Sequence, residues 1–187
     1  MVFYGCTGLK KLNITDSIEI VGSQFIQDSG IEVLNIGSGL KTISDYGIYA
    51  CPNLKEINVD LGNQYFKSID GILYTKNGSM LKHCPCSNGI VDYVIPEGCT
   101  TTDIVAFMQH PTLETVKFPS TFTTILDECF YGCPKLKVMD FSDCEVVVSL
   151  GADALTGSTT LEKIIVPEHL LDSYKTNWKQ FTNIITK

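Results

Sequence analysis

The stretch ILDECFYGCPKLKVMDF, Ile125 to Phe141, carries an apolar spacing that decides the fold. With Phe130 as anchor, apolar residues stand five positions before it (Ile125) and six, nine and eleven after it (Leu136, Met139, Phe141). The same offsets recur around five other anchors. Phe3 is followed by Leu9, Leu12 and Ile14; Phe25 is flanked by Ile20 and by Ile31, Leu34 and Ile36; Ile48 is flanked by Ile43 and by Leu54, Ile57 and Val59. Phe107 is followed by Leu113, Val116 and Phe118, with Thr102 in the upstream slot, and Leu155 is flanked by Leu150, Leu161, Ile164 and Val166. Repetition of one set of offsets at this length marks a solenoid.

The anchors lie 22, 23, 59, 23 and 25 residues apart, so the 59-residue interval reads as one period plus an insertion. A period near 23 lies in the leucine-rich range. Apolar residues nine and eleven after each anchor alternate with mostly polar ones at eight and ten, the pattern of a short strand with one buried face. Each repeat thus contributes one strand, the strands stack as a parallel sheet along the solenoid axis, and the anchor and the residue six beyond it seal the opposite side.

Composition agrees with a folded domain. In 187 residues, 44% are hydrophobic and 19% charged, which fits a single domain spanning 1–187. A net charge of −7 without a basic cluster speaks against nucleic acid as partner. No run approaches the ~18 apolar residues of a membrane span. The opening residues, MVFYGCTGLKK, begin inside a repeat and hold no secretory signal, so the chain reads as the C-terminal portion of a longer array.

The elements ISDYGIYACPNLKEINV, FYGCPKLKVMDF and FYGCTGLKKLNI resemble the treponema-type leucine-rich repeat of BspA-like surface proteins, whose units read I-x-x-x-A-F-x-G-C-x-x-L-x-x-I-x-I-P. The resemblance covers nearly the whole chain and implies a right-handed leucine-rich-repeat coil. It also implies a cell-surface or secreted location. Ile48 and Leu155 depart from the aromatic anchor, and His110 stands where the family usually has cysteine.

Residues 63–85 form the insertion. Two apolar segments, Ser68 to Thr75 and Met80 to Cys84, flank Lys76-Asn77-Gly78-Ser79 and predict a β-hairpin, and a segment like SIDGILY also occurs in BspA-like proteins. Asp70-Gly71 reads as a turn or bulge. Val94-Ile95-Pro96 reads as the strand of a degenerate unit. After Val166-Pro167 the period changes, and Leu170, Leu171, Tyr174, Trp178 and Phe181 fall on one face of a capping helix within 167–187. The segment VPEHLLDSYKTN resembles the C-terminal end of bacterial family members.

Eight cysteines fit the repeat better than a disulfide framework. Cys6, Cys51 and Cys133 each stand three after an anchor, and Cys129 takes a small-residue slot filled elsewhere by Ala106 and Ala154, which predicts a ladder of buried free thiols. His83 beside Cys84-Pro85-Cys86 has spacing unlike common zinc sites, so no metal and no cofactor is expected. His83, His110 and His169 are dispersed, and no motif assembles nucleophile, base and oxyanion donor. The chain therefore reads as a non-enzyme.

Ten after the anchor, an outward column holds Asn13, Asn35, Asn58, Lys117 and Asp140, the predicted ligand-binding strip of the sheet face. A second column, one after the anchor, holds Tyr4, Tyr49 and Tyr131 and is the alternative site. The functional expectation is a protein-binding or adhesion module that recognises a protein or glycan macromolecule, host extracellular ones included. The alternative is an intracellular structural scaffold, in keeping with reduced cysteines.

Overall fold

The computed structural model describes residues 2–187, and it is a solenoid of short strands. In chain order these are β1 (Lys11–Ile14), β2 (Ile20–Val21), β3 (Val33–Ile36), β4 (Thr42–Ile43), β5 (Glu56–Val59), β6 (Phe66–Ile69), β7 (Ile72–Thr75) and β8 (Met80–His83). They continue as β9 (Asp92–Val94), β10 (Thr101–Thr102), β11 (Thr115–Lys117), β12 (Thr124–Ile125), β13 (Val138–Asp140), β14 (Ser149–Leu150), β15 (Lys163–Ile165) and β16 (Ile185–Thr186).

The expected strand of each repeat is present. β1, β3 and β5 pair in parallel, and β9, β11, β13, β15 and β16 form a second parallel set in the same register. Two-residue strands ending five before the anchor add a further face, in which β2 pairs with β4, and β10, β12 and β14 continue from the longer hairpin strand β8. Inward residues fill the coil completely: Leu136, Met139 and Phe141 are fully buried. Phe107 stacks on Phe130 at 4.9 Å and Phe118 on Phe141 at 4.2 Å, so rings of adjacent coils form a continuous spine.

The second coil corrects the register. Val21, not Ile20, pairs with Ile43, and Val21 is 1% exposed against 66% for Ile20. The anchor is therefore Ile26, fully buried, while Phe25 is half-buried and meets Phe3 edge-on at 5.3 Å. Left-handed residues bracket it two positions either side, Gln24 (φ 55) and Asp28 (φ 54), as Val105 (φ 52) and Gln109 (φ 56) bracket Phe107. The turn after Ile26 is one residue shorter than its counterparts, which kept the downstream apolar offsets aligned with the wrong anchor. Val21→Ala should cost on the order of 2 kcal/mol and Ile20→Ala within ~0.5 kcal/mol, read as the difference in urea midpoints.

The long interval holds a whole coil as well as the insertion. Cys84 donates its amide to Ala106 O at 2.9 Å, as Phe107 does to Cys129 O and Phe130 to Ala154 O, both at 2.8 Å. Cys84 is thus an anchor, and Ile90, Tyr93 and Ile95 follow it at six, nine and eleven, supplying β9 and its inward neighbours.

The expected first hairpin strand is divided by Asp70-Gly71, at φ 50 and 78, into β6 and β7. A two-residue turn of this kind needs positive φ at both centres, which Asp-Gly supplies. The second turn closes as expected: Asn77 Oδ1 accepts from the Ser79 amide at 3.0 Å and from Thr75 Oγ1 at 2.8 Å. β7 is buried on both faces. Leu73 joins the core of the first three coils, whereas Ile72 and Tyr74 join the core running to Ile185.

At the C-terminus, Glu168–Leu170 forms a 3-10 turn, α1 spans Leu171–Asn177, and a second 3-10 turn spans Lys179–Phe181. Tyr174 and Trp178 are buried over the last coil, and Trp178 Nε1 donates to Val148 O at 3.0 Å. The chain then re-enters the sheet as β16 beside β15.

Candidate binding surfaces

Parallel register places Asn13, Asn35 and Asn58 side by side on the outward face of β1, β3 and β5. Asn35 Nδ2 donates to Asn13 Oδ1 at 2.6 Å, and Asn58 Nδ2 donates to Asn35 Oδ1 at 3.1 Å, so the amides form a ladder. Asn58 Nδ2 also reaches Glu56 Oε1 at 3.1 Å. One carbonyl and one amide remain at the ladder's ends, and each rung positions the next.

Lys117 and Asp140 are neighbours on β11 and β13, between Val94 and Ile165. Lys117 Nζ pairs with Asp143 Oδ2 at 2.8 Å, which raises the Lys117 pKa, and Asp140 Oδ1 accepts the Ser142 amide at 2.9 Å. The structure thus assembles the three asparagines in one sheet and Lys117 with Asp140 in another. Between the two sets, Gly71 O takes the Ile57 amide at 2.9 Å, so the β6–β7 turn occupies the place beside β5.

Beside the asparagines runs a charge ladder that the apolar spacing did not reveal. Glu32 is bridged by Lys10 at 3.4 Å and Lys55 at 2.7 Å, and Glu114 pairs with Lys137 at 2.8 Å. Its position, seven after the anchor in most coils, alternates in sign over Lys10, Glu32 and Lys55 and again over Glu114, Lys137 and Glu162, with the neutral Val91 between the two sets. Hydrogen bonds from Lys55 and then Lys10 hold the Glu32 carboxyl below the usual carboxylate range.

The tyrosines keep their places one after the anchors Phe3, Ile48 and Phe130, and Gln27 follows the second anchor, Ile26. Tyr4 is exposed, and Tyr49 and Tyr131 are half-buried. Tyr49 meets Tyr46 edge-on at 5.5 Å, and Tyr46 Oη donates to Glu128 Oε2 at 3.2 Å. Tyr49 and Met108 border a recess on the turns after the anchors.

All eight cysteines are free, with Cys6 exposed, Cys86 half-buried and the others buried. The ladder three after the anchor runs Cys6, Ser29, Cys51, Ser87, His110, Cys133 and Ser158, with Ser29 in the second coil's slot. Its side chains tie successive coils. Cys51 Sγ donates to Ile26 O at 3.2 Å, Cys133 Sγ to Phe107 O at 3.1 Å and Ser158 Oγ to Phe130 O at 2.6 Å. Burial pushes the Cys51 and Cys133 thiols up to about 12, far from the thiolate a nucleophile needs. In native buffer a thiol reagent should therefore label Cys6 first, and eight thiols should titrate after denaturation without reductant. A denatured count near zero would refute this assignment.

His110 is fully buried; its Nδ1 accepts the Leu113 amide at 3.2 Å and its Nε2 meets Asn88 Oδ1 at 3.1 Å. Burial lowers its pKa to about 4, and burial followed by the neighbouring His110 does the same for His83. Lys82 and Asp103 form an ion pair beside His83. Among the described residues no three His, Cys, Asp or Glu side chains are grouped to hold a metal. No helix of the described residues is long and apolar enough to cross a membrane.

The family model described as BspA type leucine rich repeat region matches residues 1–76 and 80–186 in six copies. No curated protein matches the chain. A leucine-rich repeat protein from Eubacterium ventriosum is 24% identical, with a TM-score of 0.79, over 88% of this chain and 43% of its own. A leucine rich cell surface protein from Faecalibacterium prausnitzii is 19% identical, with a TM-score of 0.63, over 88% of this chain and 55% of its own. The pneumococcal vaccine antigen PcpA is 18% identical, with a TM-score of 0.61, over 87% of this chain and 52% of its own. The chain thus spans about half the length of these solved structures, and the likeness is one of fold.

Proposed function

The chain belongs to the BspA type leucine-rich repeat family, and from that premise we propose that residues 1–187 are one repeat domain that serves as a non-enzymatic binding or adhesion module of a bacterial cell-surface or secreted protein. The observation that carries the reading is the outward ladder of Asn13, Asn35 and Asn58, held by amide hydrogen bonds of 2.6 and 3.1 Å. In-register amides at strand spacing offer a rigid row of polar groups, and solenoids use such extended faces for partners. Lys117 and Asp140 extend the polar surface on the second sheet. The family and fold are those of repeat scaffolds, and the buried thiols and imidazoles have pKa values displaced away from nucleophile or base chemistry at neutral pH. Two of the similar structures are a cell surface protein and a vaccine antigen, which supports the proposed location.

The test is binding to an array of extracellular-matrix proteins and glycans. Saturable binding to a protein or glycan is expected; no binding, together with reproducible turnover of a substrate, would overturn the reading. A second reading, an intracellular scaffold, is favoured by the eight free thiols, which suit a reducing compartment. A secretory or lipoprotein signal upstream in the full gene would discard it.

A further inference from the structure

We propose that a second site, separate from the strand face, takes the cationic side chain of a protein or peptide partner, arginine above all, in the recess beside Tyr49. The recess holds about 230 Å³ and is lined by Tyr49, Pro52, Met108 and Pro111, with Asp28 and Gln109. Pockets that enclose small molecules run ~300–1,000 Å³. This one fits a single long side chain.

The repeat itself singles the recess out. Two residues after the anchor, three coils carry glycine: Gly5, Gly132 and Gly157, at φ 67, 65 and 79. The four coils between them carry Asp28, Ala50, Cys86 and Gln109, and all four line the recess. These positions stack, since a Cβ on Gly132 would lie 3.4 Å from Gln109 Cγ. Asp28, Ala50 and Gln109 hold φ of 54, 48 and 56, a left-handed conformation that favours glycine. Side chains are thus kept, against a backbone preference met by glycine elsewhere in the column, where they build the walls of the recess.

The chemistry of the lining selects the occupant. None of the lining residues is basic, and the one charged group among them is the Asp28 carboxylate. The turns around the anchors also carry Asp45, Asp127, Glu128 and Asp153, against Lys135 and a Lys82 already paired with Asp103. The Tyr49 ring and the Met108 thioether suit the stem and planar face of a guanidinium, and Asp28 suits its charge. A carboxylate-bearing side chain finds no partner for its charge there.

The experiment uses the full chain and a blocked Gly-Ser-Arg-Ser-Gly peptide, with the Met108 and Ala50 methyl resonances followed by NMR. Saturable shifts at millimolar peptide are expected. They should be absent when citrulline, the neutral isostere, replaces arginine. Asp28→Gly should weaken binding about tenfold while raising or preserving the melting temperature, because glycine relieves the left-handed backbone. Tyr49→Ala should weaken binding at unchanged net charge. Glu145→Gln, a charge change on a different turn, should bind as the parent does. Absence of saturable shifts, equal shifts with the citrulline peptide, or equal weakening by Glu145→Gln and Asp28→Gly would overturn the proposal.

Discussion

Phe118→Ala is expected to cost about 3–5 kcal/mol. The ring is fully buried, stacks on Phe141 at 4.2 Å and packs against Phe122 at 4.8 Å and Phe130 at 6.3 Å, so three rings lose a common neighbour. In a solenoid each coil is held chiefly by its neighbours, and a cavity here should loosen the second core, not the first three coils. Hydrogen exchange should show lost protection at Phe130 and Phe141 and smaller changes at Leu34 and Ile57. Stability within about 1 kcal/mol of the parent would contradict the packing described, given the usual cost of such truncations.

Acid lability is the second large effect. His83 and His110 are neutral in the fold, with pKa values lowered to about 4 from 6.5, whereas the unfolded chain protonates them near 6.5. Between these values the unfolded state binds more protons, so stability falls as pH drops below 6.5 and the loss from these groups ends near 4. Each imidazole contributes a slope of up to ~1.4 kcal/mol per pH unit inside that window. Protonation of His110 would also remove the acceptor of the Leu113 amide. Carboxylates with lowered pKa, such as Glu32, act in a window below that of the histidines. The urea midpoint should fall clearly from pH 7.5 to pH 5, and His83→Phe should reduce the fall. Identical midpoints at both pH values would show that the imidazoles are not held neutral by burial.

Much of the architecture was legible because the inward offsets of Phe107, Phe130 and Leu155 are physical requirements of a filled coil. The second coil misled because Phe25 and Ile26 are both apolar, and the shortened turn to Ile31 let the wrong anchor satisfy the downstream spacing. Burial decides between them only when Val21 is seen to pair with Ile43. The coil at Cys84 carried its signal in Ile90, Tyr93 and Ile95, yet a small thiol in the aromatic slot concealed it. Asp70-Gly71 between Ile69 and Ile72 was a turn signal inside what read as one strand.

The candidate surfaces were legible in part. Outward residues at fixed offsets gave the Asn13, Asn35 and Asn58 column directly, because parallel pairing keeps equal positions adjacent. Its separation from Lys117 and Asp140 depends on where the β6–β7 turn folds back, which no spacing rule encodes. The recess beside Tyr49 was visible as a run of non-glycine residues at a glycine position, but only after the anchors Ile26 and Cys84 are placed correctly.

The functional claim is tested most directly by changing Asn35, Asn58, Lys117 and Asp140 together to alanine and measuring affinity for a partner found on the array. Each change lies on the outward face and should alter stability by only ~0.5 kcal/mol, so the variant should remain folded. Affinity should fall more than it does for Leu136→Ala, a core truncation, measured under conditions where both variants are folded. Unchanged affinity in the quadruple variant would contradict the assignment of binding to the strand face.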